Sequence, residues 1–409
     1  APGLTWPATP VSGREFLFQW LPPREGAYAA AWNRSVWGET EETEYVSFIA
    51  CNLIRKFGEQ GWPDKGLDLT VKRLACWGFS GVGKWGGIGG LPYLPVLSRR
   101  EVPSIAGHPD IFDPAVRKVF AEVLRRQMGN RVSNPFVVGW SVGNEWEEII
   151  KTSEIRDILR MGQAPPAKRA LLDYALDHIY GGDLSRLCRA WGVEAASRES
   201  LYDSQPQPPA ADAERLRQYY ADRYYHFIYR TIKAIDPNHL YCGFWITPDW
   251  AVEPWDAAAY WRLAAKHCDL IGYDRYAHEF ADERWRALFA STDKPVLCGE
   301  FSLPPTYEGE RAFGTYGVWV RDEAEAARRY RQWVKDAAEN PYCVGLCWFE
   351  YRDQDITGRG PGKGRMPFYG EHYAFGLTTI TDQPKYTLVE RMRRANLMAP
   401  LWRLHASRR

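Results

Sequence analysis

The sequence has almost no excess charge of either sign. Its 52 lysine and arginine residues offset 51 aspartate and glutamate residues, leaving a formal net charge of +1 over 409 residues. Proteins that bind nucleic acid, anionic membranes or polyanionic substrates through their overall field carry a marked basic excess. We therefore expect a neutral partner, with neither nucleic acid nor a membrane among the partners.

Long apolar runs are also absent. No segment approaches 18 continuous apolar residues, so the sequence predicts no membrane span. The first ten residues, APGLTWPATP, show no charged segment followed by an apolar one, so no signal peptide is predicted within the sequence.

The cysteines do not have the pattern of a disulfide framework. Five of the eight lie in predicted apolar strands, where we interpret them as small buried hydrophobic residues: Cys242, Cys268, Cys298, Cys343 and Cys347. Reduced cysteines, together with the missing signal peptide, favour a cytoplasmic location over a secreted one.

Metal and cofactor motifs are missing as well. The eight histidines form no HxH or HExxH arrangement, and no cysteine–histidine spacing is typical of zinc. The run GGIGG at 86–90 lacks both the GxGxxG and the GxxxxGK[ST] spacing, which favours a plain flexible loop. We expect no metal and no cofactor, and a metal-dependent hydrolase is disfavoured.

Aromatic residues, in contrast, are abundant. They make up 14% of the chain and include 19 tryptophans and 23 tyrosines. Rings with a polar tip suit binding grooves, and the C–H faces of sugars stack on them. The composition therefore favours a neutral oligosaccharide or polysaccharide as the substrate.

Strand-like and helix-like segments alternate through most of the chain. Seven strand candidates lie at 80–85, 93–97, 135–147, 240–246, 269–276, 295–302 and 343–351, with a weaker one at 15–21. Such alternation is typical of parallel βα units. The sequence therefore predicts an α/β protein with a closed (β/α)8 TIM barrel, and an open doubly wound sheet is the alternative.

Two connections in this pattern are long. Residues 148–237 predict a helical insertion within a single catalytic domain spanning 1–409. Because the insertion directly follows Glu145, we expect it to wall the substrate cleft, with a remote helical decoration as the alternative. The glycine-rich, cationic stretch at 354–375 predicts a long lid or subsite loop after the last strand, with a disordered loop as the alternative.

Two predicted strands end in a glutamate, Glu145 in the fourth and Glu300 in the seventh. Hydrolysis of a glycosidic bond needs a proton donor and a second carboxylate. In a barrel these strand ends would face each other across the mouth, at the separation of about 5–5.5 Å expected for a retaining mechanism. The pair therefore predicts a retaining glycosidase, although either glutamate alone is equally compatible with a salt-bridged rim residue.

Other residue types near these strand ends complete the predicted site. We predict Glu145 as the acid/base and Glu300 as the nucleophile, with the Asn144 amide binding a sugar hydroxyl. A tyrosine hydroxyl from Tyr273 or Tyr276 is expected to keep Glu300 ionised and aligned.

Aromatic residues at strand ends are candidate sugar platforms, with plain core packing as the alternative. These are Trp85, Trp245 and Trp348. Trp348 is the first choice because it lies in the last strand, where Glu350 follows it as a further candidate for substrate binding.

The strand-end motifs GNE at 143–145 and GEF at 299–301 resemble those of clan A of the glycoside hydrolases, which are retaining (β/α)8 enzymes. This resemblance implies that Glu145 is the acid/base and Glu300 the nucleophile. It also implies that Asn144 corresponds to the residue beside the acid in that clan, and that Trp348 corresponds to the tryptophan of its final strand.

Further segments resemble glycoside hydrolase family 50, the β-agarase family. They are GREFLFQWLPP at 13–23, NLIRKFG at 52–58, LTVKRLACWGFSGVGKW at 69–85, and WFEYRDQDITGRG with HYAFGLTTITDQPK within 348–385. The stretch GGDLSRLCRAWGVEAASRESL at 181–201 is similar to segments of family 42 β-galactosidases. The chain departs from the family 50 pattern at Gly143, where an acidic residue is usual, and at Lys84, where another polar residue is usual.

Taken together, the sequence predicts a retaining glycoside hydrolase that cleaves β-galactosidic linkages by double displacement, of the β-galactosidase or β-agarase type. A carbohydrate-binding pseudoenzyme and a transglycosidase are the alternatives, because both share these features. An oligomer is compatible with the sequence.

Overall fold

The structure is a computed structural model, and it describes residues 9–34, 44–88, 90–247, 257–306, 318–354 and 373–408. The chain divides into two compact units. Unit 1 comprises Ala1–Leu94, Asp274–Ala287 and Leu297–Arg409. Unit 2 comprises Pro95–Tyr273 and Leu288–Val296.

Helices dominate the described residues. The α-helices are α1 Phe48–Phe57, α2 Trp62–Cys76, α3 Pro114–Met128, α4 Thr152–Arg160, α5 Pro166–Tyr174, α6 Leu184–Trp191, α7 Arg198–Asp203, α8 Ala210–Ile235, α9 Ala257–Lys266, α10 Glu283–Ala290, α11 Glu323–Glu339 and α12 Tyr386–Ala406. Short 3-10 helices lie at Glu15–Leu17, Gly26–Ala31, Gly129–Ser133 and Glu145–Glu148, and a π-helical turn at Ala175–Ile179.

The strands are short. They are β1 Thr9–Pro10, β2 Trp32–Arg34, β3 Glu44–Val46, β4 Gly83–Lys84, β5 Tyr93–Leu94, β6 Val96–Leu97, β7 Ser104–Ile105, β8 His108–Pro109, β9 Gly139–Val142, β10 Leu240–Tyr241, β11 Ile271–Asp274, β12 Val296–Phe301 and β13 Cys343–Trp348.

Unit 1 begins with an antiparallel sheet packed against α1. The strand order is β1-β3-β2, with Thr9 opposite Val46. Ser47 caps α1 by accepting a hydrogen bond from the Ala50 amide, and Gly58 ends the helix with a φ of 83°. The residues of the sheet and of α1 contribute to one buried apolar cluster, which consists of Val11, Ala31, Val46, Ile49, Ala50, Cys51, Leu53, Ile54 and Trp62.

Unit 1 also contains the strands that precede the candidate site. β4 pairs in parallel with β5, and β12 lies beside β13. A Cβ atom on Gly83 would lie 2.8 Å from the Cys347 thiol sulfur on β13. Glycine at this position therefore lets β4 approach β13 closely, which sets the position of the following residue, Lys84.

Unit 2 contains a parallel sheet of order β10-β9-β6. Trp140 on β9 is fully buried, and its indole N–H donates to Asp236 at 2.8 Å. The segment predicted at 148–237 is helical and contains α4 to α8. Its role as a wall of a substrate cleft stays a prediction.

The predicted (β/α)8 barrel is wrong. The described strands fall into five small sheets of at most three strands, and no set of them closes into a barrel. Two predicted strands contain positive φ values, at Gly83 and Trp85 in 80–85 and at Gly243 and Trp245 in 240–246. Such residues depart from extended backbone, and the two strands are only two residues long each, Gly83–Lys84 and Leu240–Tyr241.

The weak strand predicted at 15–21 is also wrong. Glu15–Leu17 is a 3-10 turn, and the Phe16 side chain is 83% exposed. The two prolines at 22 and 23 cannot donate ladder hydrogen bonds, which prevents the segment from continuing as a paired strand. The long loop predicted at 354–375 lies almost entirely outside the described residues.

The cysteines are free thiols. Of the five predicted to be buried, Cys242, Cys268, Cys298 and Cys343 are buried and Cys347 is half-buried. Burial raises the pKa of Cys268 to about 12 and that of Cys347 to about 11, so these thiols stay protonated near neutral pH. In the described parts of the chain, no helix combines the length and apolar character needed to cross a bilayer.

Candidate active site

Glu300 is held by three donors in unit 1. It lies near the end of β12 and is 6% exposed. Its Oε1 accepts a hydrogen bond from the Trp85 indole N–H at 2.8 Å, and the Lys84 ammonium lies 2.8 Å from the same oxygen. Its Oε2 accepts from the Tyr276 hydroxyl at 2.8 Å. These three contacts fix the orientation of the carboxylate, as a nucleophile requires.

Lys84 is buried between two carboxylates. Its ammonium group donates to Asp274, which is itself buried, and lies beside Glu300. Burial lowers the pKa of Lys84, but the negative charges of Asp274 and Glu300 outweigh burial and raise it overall. Lys84 therefore carries a positive charge, and with both carboxylates ionised the three groups have a net charge of −1.

The local backbone explains why neighbouring residues reach the same carboxylate. β4 ends at Lys84, and Trp85 then adopts a φ of 63°, which turns the chain out of the strand. Both side chains contact Glu300, and the Trp85 ring stays 55% exposed. Tyr276 follows β11 by two residues and donates from the other side of the carboxylate.

Trp348 and Glu350 lie near the end of β13 in the same unit. The Trp348 indole N–H donates to the Phe375 carbonyl at 2.8 Å, and its ring packs edge-on against Phe301 at 5.4 Å. Glu350 accepts from the Gln354 amide at 3.0 Å. Trp348 therefore packs behind the residue that follows Glu300, rather than bonding to the Glu300 carboxylate.

The Asn144–Glu145 turn follows β9 in unit 2. Glu145 is half-buried, has a φ of 51°, and begins the 3-10 helix Glu145–Glu148. The Asn144 Oδ1 atom is buried and has no hydrogen-bond partner among the described residues. Because buried polar atoms are nearly always bonded, this oxygen is a candidate acceptor for a ligand hydroxyl.

Glu148 anchors this turn. Its carboxylate accepts from the Arg99 guanidinium at 2.7 Å and from the Tyr224 hydroxyl at 2.6 Å. Burial raises the pKa of Glu148, and the Arg99 charge opposes that rise. Gly143 has a φ of 69°, and a Cβ atom there would overlap the Glu148 side chain.

We expect Gly143→Ala to lower the free energy of unfolding by about 2–4 kcal/mol. Alanine is strained at the left-handed φ of this position, and its Cβ atom would also overlap the Glu148 side chain. Gly192→Ala is the matched control, since Gly192 has a φ of 65° but open space around it. Urea denaturation of both variants measures the difference. Equal losses at the two positions would show that the contact with Glu148 does not restrict residue 143.

Two of the predicted site residues are interior residues of unit 2. Trp245 is fully buried, and its indole N–H donates to the Ser141 hydroxyl at 2.8 Å. Its ring therefore presents no exposed face for a sugar. Tyr273 is also fully buried and packs against Trp261 and Phe289. Of the two tyrosine candidates, Tyr276 is the one that donates to Glu300.

Sequence reasoning did not identify Lys84 and Asp274 as partners of Glu300. The available signal was a charged residue within each apolar strand segment, in SGVGKW at 80–85 and LIGYD at 270–274. Buried charges are rare unless they are paired, so two opposite charges in such segments indicate a shared partner.

Comparisons of sequence and of structure both find β-agarases among the proteins similar to this chain. No protein-family model matches the chain. It is 26% identical to β-agarase B of Vibrio sp. (strain JT0107), covering 94% of this chain and 42% of that protein. It is 28% identical to β-agarase A of the same organism, covering 86% of this chain and 37% of that protein. The chain thus spans about two fifths of these curated relatives.

A solved exo-β-agarase structure matches with a TM-score of 0.81 and 26% identity, covering 95% of this chain and 54% of that one. A second solved agarase matches with a TM-score of 0.80 and 26% identity, covering 98% of this chain and 60% of that one. The resemblance to family 50 seen in the sequence is confirmed to this extent. The homologues of this chain are β-agarases of glycoside hydrolase family 50.

Proposed function

We propose that this chain is a retaining glycoside hydrolase that cleaves β-galactosidic linkages of a neutral galactan, with Glu300 as the nucleophile and Glu145 as the acid/base. The observation that carries the proposal is the Glu300 carboxylate held by Trp85, Tyr276 and Lys84. The homologues are β-agarases, which supports a polymer of β-linked galactose as the substrate.

The proposed reaction has two steps. Glu300 attacks the anomeric carbon and forms an ester with it, while the glycosidic C–O bond breaks and Glu145 gives its proton to the leaving oxygen. Glu145 then takes a proton from water, the water oxygen attacks the anomeric carbon, and Glu300 leaves as a carboxylate. Two inversions at the same carbon give net retention.

Several side chains near the two glutamates are proposed to contact the substrate. The buried Asn144 Oδ1 atom has no hydrogen-bond partner in the described structure. In the proposed complex it accepts a hydrogen bond from a hydroxyl group of the sugar. Trp85 uses its N–H on Glu300 but keeps half of its surface exposed, which suits stacking against a sugar ring. Tyr276, Trp348 and Glu350 remain candidates for further contacts.

Trapping of the covalent intermediate tests the proposal. We expect an activated 2-deoxy-2-fluoro-β-galactoside to inactivate the protein and add one sugar mass to the peptide that contains Glu300. Proton NMR of early products from an aryl β-galactoside and from agaro-oligosaccharides is expected to show the β-anomer first. An α-anomer as the first product, or a label on another residue, would contradict the mechanism.

A further inference from the structure

We propose that Arg99, Glu148 and Tyr224 are positioning residues that hold the proposed acid/base, Glu145, in its working orientation. All four residues lie in unit 2. The inference rests on the proposed function, because it assumes that Glu145 gives a proton to the leaving group. The three positioning residues act through the backbone of the turn that carries Glu145, and their role requires no contact with the substrate.

Glu145 has a backbone conformation that needs support from its surroundings. Its φ of 51° lies in the left-handed region, which residues other than glycine rarely adopt. Such conformations cost free energy and persist where neighbouring contacts enforce them. If the contacts around this turn were weakened, we expect the backbone to relax and the Glu145 carboxyl group to move.

The parallel sheet of unit 2 fixes the chain before the turn. β9 pairs with β6, with Ser141 opposite Val96 and Val142 opposite Leu97. The Gly143 amide then donates to the Leu97 carbonyl at 2.8 Å. These backbone contacts hold the chain as far as residue 143, two residues before the proposed acid/base.

The Glu148 carboxylate fixes the chain after the turn, and each of its oxygens accepts a hydrogen bond. Its Oε1 atom accepts from the Arg99 guanidinium at 2.7 Å, and its Oε2 atom accepts from the Tyr224 hydroxyl at 2.6 Å. Glu148 is 1% exposed and Tyr224 is fully buried. Burial and the charge of Glu148 raise the pKa of Tyr224 well above its usual value, so this hydroxyl stays protonated and acts as the donor.

Two further bonds reach backbone carbonyls of the same 3-10 helix. The Arg99 guanidinium also donates to the Glu147 carbonyl at 2.5 Å, and the Tyr225 hydroxyl donates to the Glu148 carbonyl at 2.9 Å. The third nitrogen of Arg99 donates to the Gly107 carbonyl at 3.1 Å. Arg99 therefore joins the segment after β6 to this helix through a planar fork of donors, which a lysine side chain lacks.

Hydrogen bonds inside the turn connect these contacts to Glu145. The Glu147 amide donates to the Asn144 carbonyl at 3.0 Å, and the Asn144 amide donates to the Glu147 carboxylate at 3.3 Å. Because Arg99 holds the Glu147 carbonyl, the buried network is bonded to the residues on both sides of Glu145. Buried networks whose groups are bonded in this way are rigid, as the positioning of a general acid requires.

Loss of one buried hydroxyl tests this role. In Tyr224→Phe we expect kcat/KM to fall about 5–30-fold on an aryl β-galactoside with a poor leaving group, because a displaced acid protonates the leaving oxygen less well. A dinitrophenyl β-galactoside needs no proton in the first step, so kcat/KM on that substrate is expected to change less than about twofold. The ratio of kcat/KM on the dinitrophenyl substrate to kcat/KM on the poor substrate measures the effect.

Arg99→Lys is expected to enlarge this ratio by about 10–100-fold, because lysine keeps the charge but loses the fork that bonds the Glu148 carboxylate and the Glu147 carbonyl together. In both variants kcat and KM on the dinitrophenyl substrate are expected to fall together, since Glu145 also activates water in the second step and the glycosyl-enzyme accumulates. A mere loss of folded protein would lower the rate on both substrates alike and leave KM unchanged.

Tyr220→Phe is the matched control. Tyr220 lies one turn earlier on α8, is fully buried, and donates its hydroxyl to the Pro109 carbonyl at 2.6 Å. Each tyrosine variant removes one buried hydrogen bond, so thermal unfolding is expected to show similar losses of stability for the two. Only Tyr224→Phe is expected to change the ratio between the substrates. If Arg99→Lys does not fold, the two tyrosine variants still carry the test.

An enlarged ratio in Tyr224→Phe, with the wild-type ratio in Tyr220→Phe, would support the proposal. The wild-type ratio in Tyr224→Phe, or an equal change in Tyr220→Phe, would overturn it. Measurement of Glu145→Ala on the same substrates separates the two levels of inference. A Glu145→Ala variant whose loss does not depend on the leaving group contradicts the proposed function, whereas such a dependence alongside the wild-type ratio in Tyr224→Phe contradicts only the positioning role.

Discussion

Replacing Glu300 by glutamine is expected to lower kcat by about 10⁴-fold or more on aryl β-galactosides. The amide has nearly the same shape as the carboxylate; its oxygen can still accept from the Trp85 indole N–H while its NH2 group donates to the Tyr276 hydroxyl, so the fold is expected to persist. It carries no negative charge and does not form a glycosyl ester. Initial rates with an aryl β-galactoside measure the loss, and Glu339→Gln on α11 is the control.

Azide distinguishes the loss of a nucleophile from a general disturbance of the site. In Glu300→Ala the missing side chain leaves room for azide, which is expected to give an α-galactosyl azide from an activated β-galactoside. Full activity of Glu300→Gln on every aryl β-glycoside that the wild type cleaves would show that Glu300 is not the nucleophile.

The second large effect is expected at Glu145. We expect Glu145→Ala to reduce kcat/KM by about 10²–10⁴-fold on substrates with poor leaving groups, which need a proton donor. With a dinitrophenyl leaving group the first step needs no proton. The decrease in kcat/KM of Glu145→Ala on that substrate is therefore expected to be much smaller. Comparison of the two substrates in steady state measures the difference.

The product formed with azide also tests the assignment of Glu145. Azide replaces the water that Glu145 would activate, so Glu145→Ala is expected to give a β-galactosyl azide, of opposite configuration to the product of Glu300→Ala. Glu122→Ala, an exposed glutamate on α3, serves as the control. Equal losses on good and poor leaving groups, without a β-azide product, would remove Glu145 from the acid/base role.

Local elements were predictable where a short-range signal fixes the backbone. Asp113 and Pro114 mark the start of α3, and the structure begins that helix at Pro114 with Asp113 as its cap. The seven good strand candidates each contain a strand in the structure, but most are shorter than predicted. Their ends depend on positive φ values at residues such as Trp85 and Trp245, which propensity alone does not indicate.

The sequence pattern does not predict α12. Its buried side chains include Leu388, Val389 and Met392, but Leu397 and Leu401 are exposed and Pro400 lies inside the helix. The apolar residues therefore do not form one stripe with helical period. Packing along α11, including the Tyr330 hydroxyl donating to Asn396 at 2.6 Å, stabilises this helix instead.

The barrel prediction failed at a different level. Alternation of strands and helices is a local pattern, whereas closure depends on the register and length of pairings between strands far apart in the chain. Residues such as Gly243 and Trp245 interrupt these pairings, and the described strands stay in small sheets.

The sequence by itself determined the neutral charge of the protein, the positions of its strand-end glutamates, and the motif likeness to family 50. These are properties of composition and of short segments. Only the tertiary structure decided that Lys84 and Asp274 accompany Glu300, and that Trp245 is an interior residue. The reason is physical: partners of a buried carboxylate come from strands far apart in the chain, and their packing sets which charges meet.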